Sequence, residues 1–186
     1  MKKTCYVFLA EGFEEIEALT VVDLLRRASI DCKMVSIADT DRVMGSHSIT
    51  VGSDCNLSDL VLTDEAVMIL PGGMPGTSNL ASCRKLTEAL KAANDKGLMI
   101  CAICAAPTVL GGLGLLDGKK AVCYPGCEDR LGKAICLKEE VVTDGNITTS
   151  RGMGTAIPFG LEMIRLIKGK DEADSMADKI VYKSSN

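Results

Sequence analysis

Residues Leu98–Pro107, LMICAICAAP, decide the fold, because an apolar run typical of a buried strand passes directly into the start of a helix. Pro107 would stand in the first turn of that helix, where proline is favoured. Cys104 lies at the junction, and the residues two before and two after it are the small Ala102 and Ala106. A nucleophile elbow, the strained turn that presents a catalytic side chain, needs small residues at both positions. The stretch therefore predicts buried parallel strands, with Cys104 either a nucleophile at their carboxyl edge or an inert buried thiol.

Strands and helices are predicted to alternate on both sides of this stretch. Three more short apolar runs are bounded by glycine, proline or charge, as buried strands are: Thr4–Leu9, Cys32–Ile37 and Val67–Leu70. Two segments between these runs have residues at helical spacing, Glu14–Ala28 and Leu80–Ala93. In the first helix, the residues that recur about once a turn are Ile16, Leu19, Val22 or Asp23, and Arg26. The alternation predicts an α/β fold, a doubly wound and mostly parallel sheet with helices on both faces and ligands at the carboxyl ends of its strands.

Smaller elements complete this prediction. Residues Arg42–Ser53 alternate weakly and indicate a small ribbon, while Val141–Thr149 contains the Asp-Gly pair typical of a small β-hairpin. A helix is predicted over Ala156–Lys168 and should end at Gly169. Asp171 is predicted to cap a last short helix.

Length and composition favour one domain over residues 1–186. The chain has 47% hydrophobic residues and a net charge of −4, from 21 basic and 25 acidic residues without charge blocks. These values argue against disorder and against a nucleic-acid partner. The 20 uncharged residues of Gly97–Leu116 could span a membrane, but Pro107 and several glycines interrupt them. With no export signal recognised, we expect a cytoplasmic protein, no membrane partner and free thiols at its nine cysteines.

Two further segments should meet Cys104 at the edge of the sheet. Leu70–Gly73, with the sequence LPGG, follows a predicted strand, and its glycines would let backbone N–H groups form an oxyanion hole together with Ala105. Glu17 lies in the first helix, on a side that could face Cys104. A carboxylate and a thiolate in contact cannot both ionise cheaply, so the two would titrate together. The neighbouring Glu14 and Glu15 are explained by the helix dipole.

Four stretches in order make the chain similar to the ThiJ/PfpI superfamily, and more narrowly to its parkinsonism-associated protein deglycase branch. They are Leu9–Glu17, Leu70–Gly73, Ala102–Pro107 and Thr149–Thr155. The resemblance covers nearly the whole chain and implies a flavodoxin-like homodimer. It also implies cofactor-free, glutathione-independent glyoxalase activity on small 2-oxoaldehydes such as methylglyoxal, or deglycase activity on glycated Cys, Lys and Arg side chains.

The resemblance also implies roles for individual residues. Cys104 would be the oxidation-sensitive nucleophile and Glu17 its catalytic partner. Gly73 and Ala105 would be the oxyanion donors, and Gly72 and Arg151 would contact substrate. No metal ligand is implied.

Two departures from the superfamily pattern bear on the activity. Protease-like members have a histidine directly after the nucleophile, where this chain has Ala105, so a Cys-His protease is disfavoured. Tyr124 stands where some members of the branch have a histidine that could shuttle protons. The only histidine, His47, lies far along the chain from the elbow and is expected to be structural or exposed.

Other interpretations use the same residues. Cys101, Cys104, Cys123 and Cys127 have a spacing close to that of a four-thiolate zinc site, and the first two could suggest thioredoxin-like exchange. Residues 151–155, with the sequence RGMGT, could bind phosphate before a helix. A non-enzymatic alternative is a redox sensor or holdase chaperone that works through oxidation of Cys104.

Overall fold

The computed structural model describes residues 3–38 and 40–183. Its eleven strands are β1 (Thr4–Leu9), β2 (Asp31–Ser36), β3 (Arg42–Met44), β4 (Thr50–Gly52), β5 (Cys55–Asn56), β6 (Ala66–Leu70), β7 (Ile100–Ile103), β8 (Lys120–Ala121), β9 (Ile135–Cys136), β10 (Val141–Asp144) and β11 (Ile147–Ser150). The α-helices are α1 (Glu15–Arg27), α2 (Gly76–Ser82), α3 (Arg84–Asp95), α4 (Pro107–Gly112), α5 (Ala156–Lys168) and α6 (Lys170–Lys179).

A seven-stranded sheet with the order β10-β11-β7-β6-β1-β2-β5 forms the centre of the protein. All neighbours in it are parallel except β10, which pairs antiparallel with β11. The predicted hairpin is therefore confirmed, and its second strand joins the main sheet beside β7. The predicted ribbon is also present, as β3 paired with β4. Because β1, β6, β7 and β11 are neighbours and parallel, their carboxyl ends meet along one edge of the sheet.

Helices cover both faces of the sheet, as predicted. Alternate residues of β1 point to opposite faces, so Val7 joins one buried cluster and Phe8 the other. The first cluster includes residues of α1, α5 and α6, and the second includes residues of α2, α3 and α4. The sheet is thus packed as in a doubly wound α/β fold, with an aliphatic core on each side.

Three local predictions were wrong. The helix predicted over Leu80–Ala93 is interrupted, because Cys83 adopts an extended conformation between α2 and α3. Helix α6 begins after Gly169, and Asp171 lies inside its first turn without capping it. In α1, the predicted stripe is buried at Val22 but not along its length, since Ile16 is 51% exposed and Arg26 is exposed. The residues that α1 buries are Glu15, Glu17, Ala18, Val21, Val22, Leu24 and Leu25.

The long uncharged stretch is divided between a strand and a short helix. Its residues form β7 and α4, with the turn at Cys104 between them. Within the part of the chain that the structure describes, no helix combines the length and apolar character needed to cross a membrane.

Candidate active site

Cys104 lies directly after β7, at the carboxyl edge of the sheet. Its φ of 64° places it in the left-handed region, which is strained for a residue with a side chain. Two backbone hydrogen bonds hold it there: its N–H donates to the carbonyl of Ser150 at 3.0 Å, and its carbonyl accepts from the N–H of Tyr124 at 2.8 Å. The side chain is only partly buried. The sequence thus places a thiol, in the strained geometry of a nucleophile elbow, where it can be reached from solvent.

Glu17 lies on the buried face of α1 and is 1% exposed. Its Oε2 accepts a hydrogen bond of 2.8 Å from the N–H of Gly72. Within the described part of the chain, its Oε1 is buried without a nitrogen or oxygen donor, and the neighbouring group that can share a proton with this carboxyl is the Cys104 thiol. The structure therefore brings together the two residues that the sequence singled out as a coupled pair.

The pKa values of this pair are shifted by burial and by mutual contact. Burial raises the pKa of Glu17 to about 7, although hydrogen bonds with Cys104 and Gly72 act in the opposite direction. Burial also raises the pKa of the Cys104 thiol, and the negative charge of Glu17 raises it further. When Glu17 is protonated, that charge disappears and its O–H can donate to the sulfur. The pair can therefore hold one proton between them near neutral pH.

The raised pKa of Glu17 leads to an expected pH dependence of stability. Between about 4.5 and about 7 the folded state retains a proton that the unfolded chain has lost, so stability falls as the pH rises through this window. Across this pH window, we expect the free energy of unfolding of the wild type to fall by up to roughly 3 kcal/mol relative to that of Glu17→Gln. Urea unfolding of both proteins at a series of pH values measures this difference. Parallel pH profiles would show that Glu17 titrates normally.

Two backbone amides point at the Cys104 sulfur from different elements. The N–H groups of Ala105 and Gly73 both act to lower the pKa of the Cys104 thiol, as donors to a developing negative charge do. Gly73 has a φ of 91°, and a Cβ there would lie 2.3 Å from the backbone nitrogen of Glu14, so only glycine fits. The arrangement could stabilise an oxyanion on a group bound to the sulfur, which is the role assigned to these residues from the resemblance.

Gly72 is packed directly against both members of the pair. A Cβ at this position would lie 2.6 Å from the Cβ of Cys104 and 2.7 Å from Oε2 of Glu17. The carbonyl of Gly72 accepts a hydrogen bond of 2.9 Å from the N–H of Glu14, which fixes the loop to the start of α1. The absence of a side chain at Gly72 is thus what lets Glu17 approach Cys104.

Tyr124 and Gly152 complete the surroundings of Cys104. A Cβ at Gly152 would lie 3.9 Å from the Cys104 sulfur and 3.4 Å from the Tyr124 ring. The sequence singled out Tyr124 as a replacement for a possible histidine, and the structure places it beside the elbow. The contributions of Ser150 and Gly152 were not predicted, and the signal that could have indicated them is their position at the end of β11, the strand beside β7, and just after it.

Arg151 is close to the elbow along the chain, but its side chain is engaged elsewhere. Its Nη1 donates to the carbonyl of Lys138 at 3.3 Å. Burial raises the pKa of Cys123 to about 12, and the charge of Arg151 acts against this rise. The assignment of Arg151 as a substrate-binding residue stays a prediction.

Glu15 has a structural role that the helix dipole did not predict. It is buried, and its Oε1 accepts a hydrogen bond of 2.8 Å from the N–H of His47. Its Oε2 lies 3.0 Å from Nδ1 of His47. Burial opposes ionisation of Glu15, but the hydrogen bonds from His47 and nearby amides lower its pKa to about 2. Glu15 therefore ties α1 to the β3-β4 ribbon, and His47 is exposed as expected.

The four cysteines considered for zinc do not form a compact group of ligands. Among residues 3–38 and 40–183, the group of three or more potential ligand atoms within 4.8 Å of one another consists of Glu14, Glu15 and His47. Cys101 is buried and its thiol pKa is raised to about 12 by burial, which does not favour a thiolate ligand or thiol exchange.

The fold and this site define a class of protein: a doubly wound α/β protein with a cysteine on a strained elbow and a buried carboxyl beside it. The chain belongs to the DJ-1/PfpI family, whose model matches residues 3–166. Protein DJ-1 homolog A of Arabidopsis thaliana is 35% identical over 184 residues, which are 97% of this chain and 47% of the plant protein. The chain thus spans about half the length of that relative.

Two further relatives are similar over most of their own length. The glutathione-independent glyoxalase DJR-1.2 of Caenorhabditis elegans is 32% identical over 168 residues, 89% of each chain. The structure of oxidized Toxoplasma gondii DJ-1 has a TM-score of 0.92 and 34% identity, and the match covers 98% of this chain and 100% of that one. This similarity confirms the predicted flavodoxin-like fold.

Proposed function

We propose that this protein is a cofactor-free glyoxalase that converts methylglyoxal and related 2-oxoaldehydes to 2-hydroxy acids without glutathione. The observation that carries the proposal is the burial of Glu17 beside Cys104, with Gly72 holding the carboxyl in place. A relative named as a glutathione-independent glyoxalase supports it. Early glycation adducts on Cys, Lys and Arg side chains are alternative substrates of the same groups.

The first step would be nucleophilic addition. The Cys104 thiolate forms a bond to the aldehyde carbon, and the carbonyl electron pair moves onto oxygen. The amides of Gly73 and Ala105 would stabilise that negative charge, as their lowering effect on the pKa of the Cys104 thiol supports. Protonation of the oxygen gives a hemithioacetal on Cys104.

The second step would be proton transfer between carbons. Glu17, in its ionised form, removes the proton from the former aldehyde carbon to give an enediolate and then returns this proton to the adjacent carbon, while the hydroxyl proton of the hemithioacetal passes to the neighbouring oxygen. The product is a thioester of the 2-hydroxy acid on Cys104. Water cleaves this thioester and releases the free thiol, so that the net reaction adds one water to the 2-oxoaldehyde. A pKa near 7 suits Glu17 to both removal and return of a proton.

Lactate formation from methylglyoxal tests the proposal. With substrate in large excess and glutathione absent, we expect the wild type to form many equivalents of lactate per protein, and Cys104→Ala to form none above the uncatalysed rate. Cys101→Ala is the matched control, because Cys101 is a buried thiol on β7, the strand that leads to Cys104, and its replacement should leave turnover largely intact. Turnover by Cys104→Ala equal to that of the wild type would refute the role of Cys104.

A second candidate function is redox sensing or holdase activity through Cys104. The observation that favours it is the partial exposure of a thiol beside two N–H donors, which could also stabilise the oxygens of a sulfinate. The oxidized state named for the Toxoplasma gondii relative supports it. A sensor would consume a fixed number of peroxide equivalents per site, whereas an enzyme turns over many equivalents of aldehyde.

The homodimer implied by the resemblance stays a proposal, supported by the exposed apolar Ile16 on α1.

A further inference from the structure

Three exposed apolar side chains lie around the site of Cys104, one on each of three loops. Met74 is 55% exposed, Tyr124 is 53% exposed and Met153 is 51% exposed. None of them belongs to the buried clusters on either side of the sheet. We call these three residues the apolar rim.

Each rim residue either contacts the backbone of Cys104 or follows a glycine that lies beside the Cys104 side chain. Met74 follows Gly73, whose amide points at the sulfur. The N–H of Tyr124 donates to the carbonyl of Cys104 at 2.8 Å. Met153 follows Gly152, where a Cβ would lie 3.9 Å from the Cys104 sulfur. The three side chains therefore start from backbone positions that immediately surround Cys104.

One contact links two of the three segments that carry the rim. The Tyr124 ring lies over Gly152, where a Cβ would be 3.4 Å away, so the ring faces the loop that carries Met153. The Met74 sulfur lies 3.9 Å from the Ser78 hydroxyl, which keeps its side chain along the start of α2. Thioether and aromatic side chains are adaptable apolar surfaces, and exposed ones beside a reactive group indicate ligand contact.

We propose that the apolar rim selects electrophiles that carry an uncharged, apolar substituent on the carbonyl group next to the carbon attacked by Cys104. This inference rests on the proposed function for its biological meaning: the preferred substrates would be aryl- and alkyl-substituted 2-oxoaldehydes rather than glyoxal itself. The substituent would lose contact with water against Met74, Tyr124 and Met153 while the aldehyde carbon reaches the sulfur.

Alkylation of Cys104 tests the rim independently of turnover. Iodoacetamide and N-benzyl-2-iodoacetamide react in the same way, with a bond formed from sulfur to carbon and iodide leaving, and differ in the benzyl group. The rate ratio of the two reagents at Cys104, read by peptide mass spectrometry and divided by the ratio for glutathione, measures the preference. We expect a wild-type value of about 10 in favour of the benzyl reagent.

The variant Met74→Asn/Tyr124→Ser/Met153→Asn should bring this normalised ratio close to one. The single variants Tyr124→Ser and Met153→Asn, which change exposed side chains only, should each lower the normalised ratio by about twofold to threefold. They provide the test if the triple variant does not fold. Val61→Asn is the matched control, because Val61 is an 82% exposed apolar residue outside the rim, and it should keep the wild-type ratio. A wild-type ratio near one, or an unchanged ratio in the rim variants, overturns the proposal.

Turnover of phenylglyoxal against glyoxal separates this inference from the proposed function. A higher kcat/KM for phenylglyoxal that falls towards that for glyoxal in the rim variants supports both. Equal kcat/KM values for the two aldehydes in the wild type would overturn the substrate preference while leaving the glyoxalase proposal in place. If neither aldehyde is turned over, the glyoxalase proposal fails, and the alkylation ratio alone decides whether the rim selects apolar electrophiles.

Discussion

Replacing Gly72 by alanine is expected to lower the turnover of methylglyoxal by at least about 100-fold. The new Cβ would lie 2.6 Å from the Cβ of Cys104 and 2.7 Å from Oε2 of Glu17, so one or both groups must move. The backbone fixes the positions of the new Cβ and of the Cys104 Cβ, and the strained elbow leaves Cys104 little freedom to move away. Displacement of a reacting group by about 1 Å can cost a hundredfold in rate. Steady-state lactate formation measures the loss.

Gly154→Ala is the matched control for this substitution. Gly154 lies in the turn beside the site, but a Cβ there meets no atom of the residues that the structure describes within 4 Å. We expect this variant to keep turnover within about threefold of the wild type, because no reacting group has to shift. Wild-type activity in Gly72→Ala would mean that close packing of Cys104 against Glu17 is unimportant for the reaction.

Replacing Glu17 by glutamine is expected to lower turnover by about 100-fold to 10,000-fold, the usual contribution of a positioned general base. The amide has nearly the shape of the carboxyl and can still accept the hydrogen bond from Gly72, so the site should remain folded. It cannot remove the proton from the hemithioacetal carbon. The loss should therefore appear in kcat, with alkylation of Cys104 by iodoacetamide still taking place.

Glu11→Gln is the control for the loss of a carboxylate near the site. Glu11 is exposed, and its carboxyl accepts a hydrogen bond of 3.2 Å from the N–H of Met44. We expect near wild-type turnover from this variant. Equal losses in Glu11→Gln and Glu17→Gln would indicate a general effect of charge rather than proton transfer by Glu17.

Much of the fold could be predicted because its signals are local. The run before Cys104, the small residues around it and Pro107 all lie within ten residues, and they specify a strand, a strained turn and a helix. The pairing of Cys104 with Glu17 could be suggested because both follow strands whose carboxyl ends meet at one edge. The structure adds what fixes this pairing, which is the close packing of Gly72.

Other features depend on contacts between segments distant in sequence. Two apolar stripes compete on α1, and packing on the sheet and α5 buries the one with Val21 and Leu25 while leaving Ile16 exposed. The burial of Glu15 depends on the ribbon that carries His47, about thirty residues away. An acidic pair at the start of a helix gives no indication that one of the two will accept hydrogen bonds from another element.

The most direct test of the proposed chemistry is to look for a covalent intermediate on Cys104. Glu17→Gln is held in excess methylglyoxal and measured as the intact protein by native mass spectrometry, because a hemithioacetal forms reversibly and is lost on digestion. We expect an adduct with the mass of one methylglyoxal that is missing from Glu17→Gln/Cys104→Ala, because addition proceeds and proton transfer does not. If the wild type forms lactate but the single and double variants show the same adducts, the proposal that Cys104 is the nucleophile and Glu17 its base is contradicted.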